Sequence, residues 1–372
     1  MKKKVLVTDG EKRISLNLVR SFGKNNLDIT VGSASVYSLG FSSRYCNHKT
    51  LYTSPRRNPD EFLKYLLKMV QKHRFECIFP IRENTSKVMS KHKKELSKYT
   101  NVPVPDYNIF YDAYHKEIPL KITTKNGIPC AKTYFELDEL KAKEELEFPV
   151  VIKSSIKHGC GIAICQTYDE FKEKYYKMKK KHGECFVQDF IPNGGEIGVY
   201  SIFNKNSEPV ALSVQKRIRT IYPYGGISTL RETIKNDRVI ELAFKFLKKL
   251  KWYGPSMIEF KIDARNNIPK FMEINPRWWG SLALSILSGT DFPYVLYKVA
   301  TGEKVTPNLN YKTGVKCRSF YPDLFCLLKS KGRLKNIPMI FDTKTNFDIL
   351  SLKDPLPMFI APITFSIEVF TR

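Results

Sequence analysis

The chain has 372 residues, enough for two or three domains and a sizeable core. With 42% hydrophobic and 27% charged residues it reads as a globular protein, and no stretch approaches the roughly 20 uninterrupted apolar residues of a membrane span. The net charge of +25 suits either a polyanionic partner (nucleic acid or an anionic membrane surface) or a lysine-rich solvated surface; lysines spread over 91–98, 177–183 and 245–251 favour the surface.

Residues 1–105 alternate strand and helix. The opening MKKKVLVTDG has only three apolar residues before Thr8, so it predicts a first strand rather than a signal peptide, and a cytoplasmic location is expected. A helix over 14–23, a strand over 28–32, an amphipathic helix over 59–73 and a strand over 76–80 follow. Phe62, Leu63, Leu66, Leu67 and Val70 form the apolar stripe of that second helix. This β-α-β order predicts an α/β domain with a doubly wound parallel sheet. The first loop, Thr8-Asp9-Gly10, is not GxGxxG, so no dinucleotide site is expected there. Pro103 and Pro105 mark the first boundary.

A second unit covers 106–190. One helix is expected from about 111 to 126, stopping at Gly127-Ile128-Pro129. A strand ending at Lys153 leads into a loop, Ser154 to Gly161, then a strand over 162–165, with Thr167 capping the next helix. Glycines such as Gly159 and Gly161 let backbone N–H groups approach an anion, with Lys153 as a point charge beside them; a plain surface lysine is the alternative. The eight cysteines form no CxxC pair and the six histidines are dispersed, which points to free thiols in a reducing compartment and to no transition-metal site.

The third unit, 191–305, carries a hairpin over 256–280. A three-residue turn at 265–267 sets Glu259 opposite Glu273, and alternation puts Asn275 on their face. Ile258, Phe260, Ile262, Met272 and Ile274 form the apolar face. Two carboxylates with Cβ atoms about 5 Å apart repel unless a cation lies between them. Glu, Glu and Asn are hard oxygen ligands suited to Mg²⁺ held with phosphates, while a solvated edge hairpin is the alternative. Residues 306–372 are the least readable part, a C-terminal extension without an assigned role.

Glu259 and the run Met272-Glu273-Ile274-Asn275-Pro276-Arg277 resemble the metal-binding signature of the ATP-grasp ligases. Other elements fall in that family's order. Lys116 stands eleven residues before Gly127-Ile128-Pro129, and Lys153 precedes the glycine loop. Val187-Gln188-Asp189-Phe190-Ile191 resembles the adenine hinge. The likeness spans about 1–305 and implies an ATP-grasp fold behind an N-terminal pre-ATP-grasp domain. In that scheme 106–190 is the small lid subdomain and 191–305 the large one.

The resemblance implies ATP held by Lys116, Lys153, Ser154, Gly159, Gly161, Gln188, Asp189, Phe190, Ile191 and Glu196, with Glu196 at the ribose. It implies two Mg²⁺, or Mn²⁺ in their place, on Glu259, Glu273 and Asn275. The implied reaction activates a carboxylate as an acylphosphate and couples it to an amine, as in carbamoyl-phosphate-synthase-like single-chain ligases. Lys153 and Arg277 would stabilise the transferring phosphoryl group, and Arg217 or Arg219, with Arg219 preferred as catalytic, would recognise the carboxylate. Trp278 and Trp279 either shape a pocket or fill the core. A homodimer is expected. The competing functions are a basic binding protein on the same fold and a kinase-like variant without ligation.

Overall fold

The computed structural model describes residues 2–137, 139–155, 161–222, 225–329 and 342–370. Four strands near the N-terminus, β1 (Lys4–Val7), β2 (Asp28–Ser33), β3 (His48–Leu51) and β4 (Cys77–Phe79), form a sheet of order β3-β2-β1-β4. Every pairing in it is parallel, as the β-α-β pattern predicts. Successive residues of β1 serve opposite layers. Val5 and Val7 pack with Phe22 of the helix Arg13–Lys24, whereas Leu6 packs with Phe62, Leu66 and Val70 of the helix Pro59–His73. Covering both faces is what a parallel sheet requires. The edge strand β3 has no apolar run and is mostly exposed, which explains why periodicity does not reveal it.

The expected helix over 111–126 is instead two, Tyr107–Tyr114 and Glu117–Lys125. A continuous helix would set the Pro119 ring against the carbonyl of His115, four residues back. The chain avoids this with an extended His115, and Pro119 falls in the first turn of the second helix. Lys116 sits at that break.

The next sheet is small and antiparallel: β5 (Thr133–Tyr134), β6 (Val150–Ser154), β7 (Ile162–Cys165) and β8 (Cys185–Asp189), in order β5-β8-β6-β7. The helix Tyr168–His182 lies against it, its first turn capped by Thr167, which accepts the Glu170 N–H at 3.3 Å.

The large sheet is built from β9 (Asn193–Phe203), β10 (Pro209–Tyr222), β11 (Gly225–Thr233), β12 (Gly254–Asp263), β13 (Pro269–Asn275), β14 (Lys316–Arg318) and β15 (Thr345–Phe347). Its order is β13-β12-β9-β10-β11-β14-β15. The last two strands come from the stretch left unassigned by sequence, so part of 306–372 continues this sheet. The helix Asp237–Lys249 covers one face through Val239, Leu242, Phe246 and Leu247. Trp278 and Trp279 are fully buried between this unit and the parallel sheet, packed with Phe22, Phe79, Phe292 and Tyr297, so they belong to the core. Among the described residues no helix is long and apolar enough to cross a membrane.

Candidate nucleotide and metal site

Glu259 on β12 pairs directly with Glu273 on β13, as the spacing predicts, but by a different path. The turn is four residues long, not three. The Asp263 N–H donates to Ile268 O at 3.1 Å, the Asn267 N–H donates to Asp263 O at 2.8 Å, and Asn267 takes the left-handed conformation (φ 59°) that asparagine tolerates. This offsets the ladder by one, so that Phe260 pairs with Phe271 and Lys261 with Lys270. A bulge at Met272 restores the register before Glu259 and Glu273 meet. Phe271 therefore enters the core at 2% exposure, and Met272, expected on the apolar face, is only half-buried.

Asn275 joins the two glutamates. Its Nδ2 donates to Glu259 Oε2 at 3.2 Å and to Glu273 Oε1 at 2.9 Å. Arg217 of β10 reaches over β9, with Nη2 on Glu259 Oε1 and Nη1 2.6 Å from Glu196 Oε2. Burial, then repulsion from Glu273 and Glu196, raises the Glu259 carboxyl above its ordinary range despite Arg217. Burial opposes the charge of Arg217 too, yet Glu259 and Glu196 hold its guanidinium above the usual value. On the other flank Arg277 donates through Nε to Glu83 Oε1 at 3.3 Å and through Nη2 to Asn275 Oδ1 at 3.4 Å.

This donor set fits a hard divalent cation. The two carboxylates sit opposite each other, Glu259 buried and Glu273 half-buried, with Arg217 on Glu259. Turning the Asn275 amide by 180° exchanges Nδ2 for Oδ1 and presents three oxygens. No cluster of three His, Cys, Asp or Glu side chains offers an alternative among the described residues.

Lys153 at the end of β6 belongs to the same electrostatic neighbourhood. Burial pushes its pKa down to about 8; Glu273 counters this, and Lys116 and Lys261 add to it. Lys116 and Glu273 thus both lie within electrostatic reach of Lys153. Ser154 is buried, and its N–H donates to Gly161 O at 2.9 Å, closing the neck of the loop. A Cβ at Gly161 would lie 2.6 Å from that of Ser154, so only glycine fits. Residues 156–160, Gly159 included, lie outside the described residues.

The hinge strand is held more tightly than the sequence suggests. Gln188 is buried and its Nε2 donates to Thr133 Oγ1 at 2.8 Å, so its carbonyl oxygen is the end suited to an exocyclic amine. The N–H of Asp189 donates to Lys132 O at 3.0 Å and that of Phe190 to Pro149 O at 3.2 Å. The Phe190 N–H is thus already engaged within the chain. Burial raises the Asp189 carboxyl. Ile191 is buried, and Lys261 Nζ stands 5.4 Å from the centre of the Phe190 ring. Glu196, expected at the ribose, is in the ion pair with Arg217.

Arg219 does not join the cluster. Its Nη1 lies 2.8 Å from both carboxylate oxygens of Asp323 on the helix Phe320–Lys329. A register shift in the β10–β11 ladder separates it from Arg217, and such a shift re-aims a side chain. Of the two arginines, Arg217 is the one beside the carboxylates.

Glu259, Glu273, Asn275, Arg217 and Arg277 line one part of a cavity of about 590 Å³. Arg13, Arg231, Ser319 and Asp348 line another part; Lys116, Lys153 and Gln188 are not among its walls. Sequence reading missed Glu83, Arg13, Arg231 and Asp348 because they come from separate parts of the chain with no shared motif. The basic start of the first helix was the one visible signal.

Residues 195–320 match a family described as ATP-grasp in the biosynthetic pathway with Ter operon. The chain is 25% identical to the D-aspartate ligase of Enterococcus faecium (strain Aus0004) over 239 residues, covering 55% of this chain and 53% of that protein. It spans about half the length of the curated relatives it matches. Biotin carboxylase of Campylobacter jejuni, solved as a β,γ-ATP complex, superposes with a TM-score of 0.71 at 17% identity over 85% of this chain and 74% of the other. The biotin carboxylase domain of Hydrogenobacter thermophilus 2-oxoglutarate carboxylase, solved with MgADP, ADP and bicarbonate, gives 0.66 at 16% identity over 85% and 73%. The molecule has the ATP-grasp fold, and the family match covers residues 195–320, about a third of the chain.

Proposed function

We propose that this protein is an ATP-dependent ligase that activates a carboxylate as an acylphosphate and couples it to an amine, releasing ADP and phosphate. The observation that carries this reading is the convergence of Glu259, Glu273 and Asn275 on one cavity wall beside Arg217 and Arg277. The similarity to a D-aspartate ligase supports a small carboxylate substrate.

Mg²⁺ would be held by Glu259, Glu273 and the Asn275 oxygen, and when bound would neutralise the triphosphate oxygens. Mn²⁺ suits the same ligands, and the donor number accommodates two ions shared with phosphates. The rest of the catalytic work belongs to the chain's cations. Lys116 and Lys153 place positive charge at the phosphates with no proton transfer required. Arg277, held by Glu83, is poised to fork onto the transferring phosphoryl group. Arg217, rather than Arg219, takes the carboxylate-facing role, because Arg217 lines the cavity beside Glu259 and Arg219 is not among its walls. Gln188 and the wall of Phe190 and Ile191 would seat the base.

The test is phosphate release from Mg-ATP across paired carboxylates and amines, with product analysis. A coupled amide is expected from one pair, and Glu273→Ala should abolish it while the chain stays folded. A stable phosphorylated product without a coupled amine would instead make the protein a carboxylate kinase. Full turnover in Glu273→Ala would remove the metal assignment.

A further inference from the structure

Arg231 of β11 is 4% exposed and lines the 590 Å³ cavity. Its Nη2 donates to Ser228 O, but its Nη1 has no hydrogen-bond partner among the described residues. Leaving a buried donor unmet is unfavourable, more so on a cation. Asp348, a carboxylate whose charge acts on Arg231, is already engaged: it accepts from Arg13 Nη1 at 3.0 Å and from the Ser319 hydroxyl. Two guanidinium groups thus share one carboxylate. Burial and then Arg13 push Arg231 down to about 10, in keeping with an under-compensated positive site.

A second, independent feature opens on the same space. Arg13 begins the helix Arg13–Lys24, whose N-terminus has no side-chain cap and no acidic residue in its first turn. Lys12, Arg13 and Ile14 all line the cavity, so the positive end of the helix faces it. Gly280 leaves room for Arg13, since a Cβ there would lie 3.1 Å from Arg13 Nη2. Glu11 also lines the cavity, with its carboxylate accepting from Ser33 at 3.0 Å.

We propose that Arg231 and Arg13, at this uncapped helix end, form an anion subsite for a second negatively charged group of the acceptor substrate, a carboxylate or phosphate other than the group being activated. This rests on reading the cavity as the acceptor site of the proposed ligase. The substrate class is then a dianion, with one group at the Glu259–Arg277 wall and the other on the two arginines.

The test is calorimetric titration of the full chain, saturated with Mg-ADP, using malonate in one arm and inorganic phosphate in the other. At least one anion should bind the wild type, and malonate or phosphate preference identifies the group. Arg231→Met should weaken that binding about tenfold or more, the scale of one lost charged hydrogen bond, and change Mg-ADP affinity less than about twofold. It should also leave the melting temperature of the free protein unchanged or raised, which a merely structural arginine would not do. If Arg231→Met fails to fold, Arg231→Lys is read instead: it keeps the charge, loses the fork, and should bind about fivefold more weakly. Equal affinity in the variant that is read, or no binding of either anion to the wild type, overturns the subsite. Arg231-dependent binding in a chain that couples no carboxylate to any amine would sink the ligase reading and leave the subsite standing.

Discussion

Lys153 carries the clearest pH signature in the site. Its pKa is pushed down to about 8 from 10.5, chiefly by burial. Between those values the unfolded chain holds a proton that the folded chain has lost, so the free protein gains stability as pH rises across that window, and below about 8 it bears the full penalty of the buried charge. For phosphate binding the sign reverses. ATP affinity should fall as pH rises through about 8, and Lys153→Arg, permanently charged, should flatten that fall in a fluorescence titration. A flat wild-type profile would show that Lys153 does not meet the phosphates. Arg217 makes a different prediction. Arg217→Ala strips Glu259 of its buried counter-charge and should lower stability in denaturant by about 3 kcal/mol. Mg²⁺ should recover part of that loss, because it supplies the missing positive charge to the same carboxylate. No recovery on adding Mg²⁺ would argue that the two do not share Glu259.

At the scale of elements, the hairpin shows both the reach and the limit of reading a sequence. The pairing of Glu259 with Glu273 was legible because the two lie the same distance from Asn266, but the local path was not. A four-residue turn and a bulge at Met272 each shift the ladder by one, in opposite senses, and cancel at the glutamates. Alternation alone has no term for such a bulge, which is why Met272 was expected where Phe271 packs. Deleting Met272 should therefore turn the bulge into a regular step that leaves Glu273 opposite Glu259, and Mg-dependent nucleotide binding should survive, whereas inserting one residue after Met272 should move Glu273 off its partner and abolish it with the folded circular dichroism signal retained. Intact Mg-dependent binding in the insertion variant would show that the pairing of the two glutamates does not form the site. The break at Lys116 was legible in principle from Pro119, whose ring forbids a continuous helix. Arg219 was not separable from Arg217 by alternation, because what divides them is Asp323, more than a hundred residues away in the chain.

Across the whole molecule, most strands of the three sheets match a pattern visible in the chain, β3, β14 and β15 excepted, yet the cavity depends on how the sheets meet. Arg13 comes from the first helix, Arg217 and Arg231 from the middle of the large sheet, and Asp348 follows its last strand. No local periodicity brings these residues together. The buried Trp278, Trp279, Phe22 and Phe292 fasten the parallel sheet to the large one and set that geometry. The net charge of +25 is a property of this scale too. If it is a solvated surface rather than a polyanion site, nonspecific DNA binding near physiological salt should be weaker than that of dedicated DNA-binding proteins, with a dissociation constant above about 10⁻⁴ M.

Nucleotide affinity measured with and without Mg²⁺, in the wild type and in Glu273→Gln, tests the central claim most directly. The glutamate-pair account predicts that Mg²⁺ tightens ADP binding about tenfold or more in the wild type and has little effect in the variant, whose unassisted ADP affinity stays close to normal. The same Mg²⁺ enhancement in both proteins would contradict it.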